Sequence, residues 1–130
     1  MVIRLRRLDH FGVDVSDLER AKRFYTDVLG MSVELRRPDQ RLLRYGDGNC
    51  ALFWKPDRVP GSLDQIASPL GKSHHAFEVS WEDLEAALRL FADRGIPHHP
   101  PIDWTDHHCL YFLDPDGNLL ELVGYHLAGC

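Results

Sequence analysis

From His10 to Val15 the chain alternates. Phe11, Val13 and Val15 fall on one side, and His10, Gly12 and Asp14 fall on the other. A period of two predicts a half-buried strand. The period changes at Ser16. Ser16-Asp17-Leu18-Glu19 has the S-x-x-E form of a capping box, in which a hydroxyl and a carboxylate satisfy two orphan N–H groups. Leu18, Ala21, Phe24, Val28 and Leu29 then recur at near-helical spacing, and Gly30 suits a left-handed C-terminal cap. The same succession returns later in the chain. His74-His75-Ala76-Phe77-Glu78-Val79 alternates, and Ser80-Trp81-Glu82-Asp83 caps a helix. Leu84, Ala87, Leu88 and Phe91 form its stripe, and Gly95 ends it. A Gly-Asn pair between apolar runs follows in each half, Gly48-Asn49 and Gly117-Asn118, and reads as a hairpin turn.

The chain is thus written twice, and repetition at this scale decides the fold class. Each half reads as a strand, a helix and three strands. This predicts an α+β protein of two paired βαβββ modules, the first over 1–55 and the second over 72–130. Pro56, Pro60, Gly61, Pro69 and Gly71 punctuate a linker over 56–71. A half of about 60 residues, with one helix on one face of a sheet, buries too little to stand alone. The two modules are therefore expected to form one domain, with a cupped mixed sheet around a cavity.

Strand phase sorts the candidate chemistry. His74 shares a face with Ala76 and Glu78, while His75, Phe77 and Val79 face the other way. His10 and His74 are therefore equivalent, and His75 is not. In the last apolar run Leu120 and Leu122 share the buried face and Glu121 points opposite. A lone histidine on a strand is usually a hydrogen-bonded or surface group. Two of them at the same position of a repeat, joined by one carboxylate, suggest a shared metal site. The set His10, His74 and Glu121 leaves open positions and suits Fe(II), Mn(II) or another divalent ion.

Composition adds exclusions. The formal charge is −5, a poor basis for binding nucleic acid, where phosphate neutralisation supplies most of the affinity. No apolar run approaches the roughly 18 residues of a membrane span. Arg4, Arg6 and Arg7 alternate with Ile3 and Leu5, as on the exposed face of an opening strand, and this heptapeptide has no apolar signal core. Cys50, Cys109 and Cys130 are far apart, with no C-x-x-C, and read as reduced thiols of a cytoplasmic protein. Eight histidines in 130 residues are the unusual count. His107 shares a strand face with Cys109 and Tyr111, while His108 faces away with Leu110 and Phe112. His98 and His99 follow Pro97 at a strand edge, where one would support a ligand, and His126 reads as a surface group.

The sequence resembles the vicinal oxygen chelate superfamily, which includes glyoxalase I, extradiol dioxygenases, fosfomycin-resistance proteins and bleomycin-binding proteins. The resemblance runs over about residues 3 to 126. It is carried by Leu8-Asp9-His10-Phe11-Gly12-Val13-Asp14-Val15-Ser16-Asp17-Leu18, by Phe24-Tyr25 through Leu29-Gly30, and by His74-His75-Ala76-Phe77-Glu78-Val79. The most specific stretch is Leu110-Tyr111-Phe112-Leu113-Asp114-Pro115-Asp116-Gly117-Asn118-Leu119-Leu120-Glu121. The resemblance implies paired βαβββ modules around a cupped sheet, and its ligand positions match His10, His74 and Glu121.

Departures narrow what it implies. Glyoxalase I takes a second glutamate from its first module. Counted from the Gly-Asn pairs, that position is Leu52, and no Glu lies between Glu34 and Glu78. Fosfomycin thiol transferases place a threonine where this chain has Gly12, and a phosphonate-binding lysine where this chain has none after Lys72. Extradiol dioxygenases keep two histidines and one glutamate, with a tyrosine before the Asp-Pro, here Tyr111, and a catalytic histidine. Trp104 stands in that histidine's window, and His107 is the substitute. The expected function is a divalent-metal-dependent enzyme, most like a small extradiol-type dioxygenase acting on a catechol-like small molecule. Fe(II) or Mn(II) is favoured, with Ni, Co or Zn as alternatives. His107 and Tyr111 are its catalytic residues, and Phe53, Trp54 and Trp104 line an apolar pocket. Two alternatives stand beside it: a non-redox lyase, isomerase or thiol transferase, and a non-catalytic drug-binding resistance protein. A homodimer is expected, to cover sheet edges.

Overall fold

The computed structural model describes residues 1–126. They form two compact units that divide at Pro60 and Gly61. In the first unit β1 (His10–Val15) leads into α1 (Leu18–Arg23), and α1 runs on into a π-helical turn at Phe24–Val28. Strands β2 (Ser32–Arg37), β3 (Gln40–Tyr45) and β4 (Gly48–Trp54) follow. The second unit has a short α2 (Asp64–Ala67), β5 (His75–Val79) and α3 (Trp81–Arg94), then β6 (Ile102–Asp103), β7 (His107–Leu113) and β8 (Leu119–Tyr125). The sheets have matching orders, β1-β4-β3-β2 and β5-β8-β7-β6. In each, the last strand lies between the first, to which it is parallel, and an antiparallel neighbour. This is the α+β arrangement of repeated βαβββ modules that the pattern predicts.

The alternation sets the packing. In β1, Phe11, Val13 and Val15 are buried while His10, Gly12 and Asp14 are exposed. In the second unit Phe91 of α3 packs on Phe112 with ring centroids 4.6 Å apart. Leu84 of the same helix lies against Gly124 of β8. Helix α3 starts and stops as predicted: the Ser80 hydroxyl accepts from the Asp83 N–H at 3.1 Å, and Gly95 takes a left-handed φ of 66°.

Five expectations need correction. Residues 1–9 form no strand, and Ile3 and Leu5 are exposed; β1 begins only at His10 because the chain before it has no strand partner among the described residues. The N-cap of α1 is Asp17, whose carboxylate accepts from the Arg20 N–H at 3.0 Å, and Ser16 instead accepts from the Arg20 guanidinium. The π-helical turn holds one residue more than an α-turn, and it turns Tyr25 fully into the core. Gly48-Asn49 is not the first hairpin turn. Tyr45 pairs with Gly48, so the turn is Gly46-Asp47 and the dipeptide already belongs to β4. The stretch expected as linker also carries structure. Gly61 donates to the Asp116 carbonyl at 2.7 Å, Gln65 donates to the Gly117 carbonyl at 2.6 Å, and Ile66 of α2 packs against Cys109, Tyr111 and Leu119.

Cys50 and Cys109 are buried and belong to no disulfide. Cys130 lies outside the described residues.

Candidate functional site

The Asp-Pro-Asp-Gly-Asn stretch is a turn that sets register. Asp114 is buried, and its Oδ1 accepts from the backbone N–H of Asp116 at 3.0 Å and of Asn118 at 2.8 Å. Its Oδ2 accepts from the Asn118 side-chain amide at 2.8 Å. Gly117 takes φ 77° and approaches Gly61 so closely that a Cβ would lie 2.5 Å from the Gly61 oxygen. The five-residue connection between β7 and β8 is thereby fixed, and it sets Tyr111 opposite Glu121. Across β8, Ala76 pairs with Glu121 and Glu78 pairs with Val123. Paired residues share a face. Ala76, Glu121 and Tyr111 therefore face away from α3, as the alternation predicts, and Cys109 and Val123 lie beside them.

His74 lies just ahead of β5, and its Nε2 stands 2.8 Å from Glu121 Oε1. Its Nδ1 is 2.7 Å from the Lys72 carbonyl oxygen. A carbonyl can only accept, so Nδ1 carries a hydrogen and Nε2 is the nitrogen turned to the carboxylate. The two atoms at that distance need a cation or a shared proton between them. Glu121 is 8% exposed, so water does little to screen the pair. The edge of the His74 ring meets Tyr111, with centroids 5.2 Å apart. Burial, and then the Glu121 charge, push the Tyr111 phenol above its usual value, so it stays a donor.

His10 shows the same polarity in the first unit. Its Nδ1 is 2.9 Å from an Asp9 carboxylate oxygen, which leaves Nε2 free. That bond, more than any other influence, holds Asp9 below the usual carboxylate range. His10 opens on a groove of about 320 Å³ with Asn49, Ala51, Leu42, Leu35 and Arg37.

The structure brings His74, Glu121 and Tyr111 together. It does not bring His107 to them. His107 pairs with Tyr125, and Tyr111 pairs with Glu121. Tyr111 lies four residue steps along the strand from His107, about 13 Å. His107 lies instead between Trp104 and Tyr125, with Asp106 Oδ1 2.6 Å from its Nδ1. A period of two places His107 and Tyr111 on one face but says nothing of the distance between them. His98 and His99 each have Nδ1 on a backbone carbonyl, at Ile96 and Pro100, and neither reaches Glu121. His126 and His108 flank Trp81, away from the pair. A larger cavity of about 660 Å³ opens there, between Trp81, Tyr125, Glu78 and Glu82. It does not touch His74 or Glu121. Trp54 and Trp104 are nearly half exposed.

Register also corrects the position matched to Glu121 in the first unit. Gly12 stands two residues after His10, as Ala76 does after His74, and Gly12 pairs with Ala51. The counterpart is therefore Ala51, not Leu52. The error of one follows from the shorter first turn. Neither residue is a carboxylate.

Among the described residues no group of three or more His, Cys, Asp or Glu side chains stands close enough to hold a metal ion. The donor chemistry nevertheless fits one. Both histidines have Nδ1 committed to an acceptor, and the Glu121 carboxylate faces Nε2 of one of them.

The model of the Glyoxalase/Bleomycin resistance protein/Dioxygenase superfamily matches residues 7–122. The chain belongs to that superfamily. Members of the glyoxalase/dioxygenase superfamily are in general dependent on a divalent metal. Two relatives show its breadth. A glutathione transferase FosA from Serratia marcescens is 30% identical over 132 residues, covering 97% of this chain and 89% of the relative. A biphenyl-2,3-diol 1,2-dioxygenase from Rhodococcus globerulus is 31% identical over 119 residues, covering 89% of this chain and 62% of the relative. This chain therefore spans less than two thirds of that dioxygenase. The crystal structure of a glyoxalase/dioxygenase from Nostoc punctiforme matches with a TM-score of 0.80 over 98% of both chains, at 20% identity. No helix among the described residues is long and apolar enough to cross a membrane.

Proposed function

We propose that the chain is a divalent-metal-dependent enzyme whose ligands are His10, His74 and Glu121, and that it acts as a small extradiol-type dioxygenase on a catechol-like substrate. The observation that carries this is His74 Nε2 standing 2.8 Å from Glu121 Oε1 while Nδ1 is tied to the Lys72 carbonyl. His10 is assigned the third position because its place in the repeat and its ring polarity are the same. When bound, Fe(II) or Mn(II) would supply Lewis-acid and redox chemistry to vicinal oxygens. The residues do the rest. His74 keeps one tautomer because Lys72 fixes its other nitrogen. Glu121 is buried and paired, so it does not swing into water. The raised phenol of Tyr111 donates a hydrogen bond to an oxyanion forming on the substrate. The direct proton role goes to Tyr111, while the His107–Asp106 pair serves the far end of this face.

Loading the protein anaerobically with Fe(II) and following oxygen uptake over a catechol panel tests the reading. Uptake abolished by Glu121→Ala is the expected result. A filled site with no uptake on any catechol sinks the dioxygenase version. The second reading, a thiol transferase, is supported by the near full-length match to the FosA relative. It predicts glutathione consumption with an electrophile and no oxygen uptake. Against it stands the lack of any lysine after Lys72 to hold a phosphonate.

The reading includes a homodimer with a small-molecule substrate, and no role for nucleic acid or a membrane. Each sheet ends on open edges, and Val2, Ile3, Leu5 and Leu8 are exposed apolar residues. Only monomer in a solution mass measurement would contradict the dimer. A cytoplasmic setting accords with buried cysteines at 50 and 109 that form no disulfide.

A further inference from the structure

We propose that the cavity at the far end of the second sheet binds a small organic cation, an alkylated ammonium compound, between aromatic side chains and two carboxylates. The cavity holds about 660 Å³ and is walled by Trp81 and Tyr125, with Glu78, Glu82 and His126 beside them. Small-molecule sites commonly hold about 300–1,000 Å³. Its place follows from the strands. Strands β5 and β8 run parallel, and their last residues, Val79 and Tyr125, end at the same side of the sheet, where α3 begins. Glu78 pairs with Val123, and Tyr125 lies two residues further along the same face. Glu121 is four residue steps back along β8, about 13 Å. The cavity is therefore a site apart from the His74–Glu121 pair, and the proposal does not rest on a metal.

Two independent features select a cation. The first is the aromatic wall, which is set in advance. The His126 ring lies against the Trp81 indole with centroids 3.9 Å apart, and the His108 ring lies at 4.4 Å. Asp103 Oδ1 stands 3.2 Å from His108 Nε2, and the His126 backbone N–H donates to the Asp106 carbonyl at 3.0 Å. The Tyr125 ring rests beside His107 at 5.0 Å. Side chains already held in place lose little entropy when a ligand arrives. Tryptophan and tyrosine rings attract the charge of an alkylated ammonium, and its methyl groups cover their apolar surface. A bare metal ion would leave that surface unused.

The second feature is charge. Among the described residues neither the Glu78 nor the Glu82 carboxylate has an ion-pair partner, and no lysine or arginine lines the cavity. The chain as a whole is divided in the same sense. From Gly61 onward it carries eleven acidic side chains against three basic ones, whereas residues 1–60 carry nine against twelve. An acidic field raises the local concentration of a cation and speeds its arrival. The positive end of α3 opposes this, but Glu82 and Asp83 in its first turn already meet it, and Glu78 lies outside the helix.

Titration of the full chain with choline, followed through the indole N–H resonances of its three tryptophans, tests the proposal. Trp81→Phe assigns the Trp81 signal, and Trp54 serves as the internal control. We expect a saturable shift at Trp81 and none at Trp54. The uncharged isostere 3,3-dimethylbutan-1-ol should bind at least about tenfold more weakly. Glu78→Gln and Glu82→Gln, both at exposed positions, should each weaken choline about 2–5-fold, and the double variant by about the product of the two. Trp81→Ala should weaken it about tenfold. Absence of a saturable Trp81 shift in the wild type overturns the proposal. Equal affinity for choline and its isostere overturns it too, because the cavity would then be reading apolar shape alone. Should Trp81→Ala fail to fold, the double glutamine variant decides, and wild-type affinity in that variant overturns the role given to the carboxylates and with it the choice of a cation.

Discussion

The two units share strand order and pairing direction, yet they spend the same position differently. Beside the first strand, two residues after the histidine, the central strand carries Ala51 in one unit and Glu121 in the other. The first unit closes its last hairpin with the exposed pair Gly46-Asp47. The second closes it with five residues tied by a buried aspartate. The difference teaches that the repeat supplies the scaffold and the histidine, while the charged partner and the rigid turn that aims it belong to one copy.

The largest expected effect comes from removing that partner. Glu121→Ala should lower Mn(II) affinity by at least about 1000-fold, and His74→Ala should do nearly the same, because each deletes a direct ligand. Calorimetric titration would show it, and unchanged affinity would end the metal assignment. The comparison can also be run backwards. Ala51→Glu places a carboxylate in the first unit where Glu121 stands in the second. Ala51 is 1% exposed, so the metal-free variant should lose roughly 3 kcal/mol. If His10 Nε2 is free as described, Mn(II) should raise the melting temperature of this variant more than that of the wild type. A smaller rise would show that the first strand does not present its histidine.

The turns give the next contrast. Asp114→Ala removes three hydrogen bonds to a buried carboxylate and should cost about 2–3 kcal/mol in urea unfolding. Asp47→Ala, on an exposed turn, should stay within about 0.5 kcal/mol. Equal costs would erase the distinction. The smallest effect concerns pH. Burial, and next the charge of His74, hold His75 below the usual histidine value. The unfolded chain then binds more protons below about pH 6.5, so stability is full above that pH and falls as the solution is acidified. His75→Gln should flatten this fall between pH 7.5 and 5.5 in thermal melts. An equal slope would assign it to other groups.

Much of this was written in the alternation. Strand phase separated His74 from His75 and put Glu121 opposite its apolar neighbours, because a period of two fixes faces without knowledge of partners. It failed where a count of residues stood in for a pairing. Identical Gly-Asn dipeptides lie inside β4 in one unit and at the edge of a turn in the other, and a slip of one exchanges the faces of a strand. The same limit hid the distance of His107 from Tyr111. Tyr25 escaped notice because a π-turn is not a period that the sequence displays. The four-residue α2 has too few positions to show a stripe. The bond from the Trp104 indole N–H to Cys109 Sγ depends on the backbone at Thr105, where nothing in the side chain announces a left-handed φ.

The parallel pairing of first and last strands has a consequence for assembly. In each unit the strand that completes the sheet is the one synthesised last, and it enters between strands made earlier. Such closure is non-local, and the entropy of the intervening loop must be overcome before any pairing rewards it. As the chain leaves the ribosome, His74 is therefore in place well before Glu121 can meet it. The second sheet gains its central strand and Glu121 in one event, so the His74–Glu121 pair forms with the closure of the sheet rather than ahead of it.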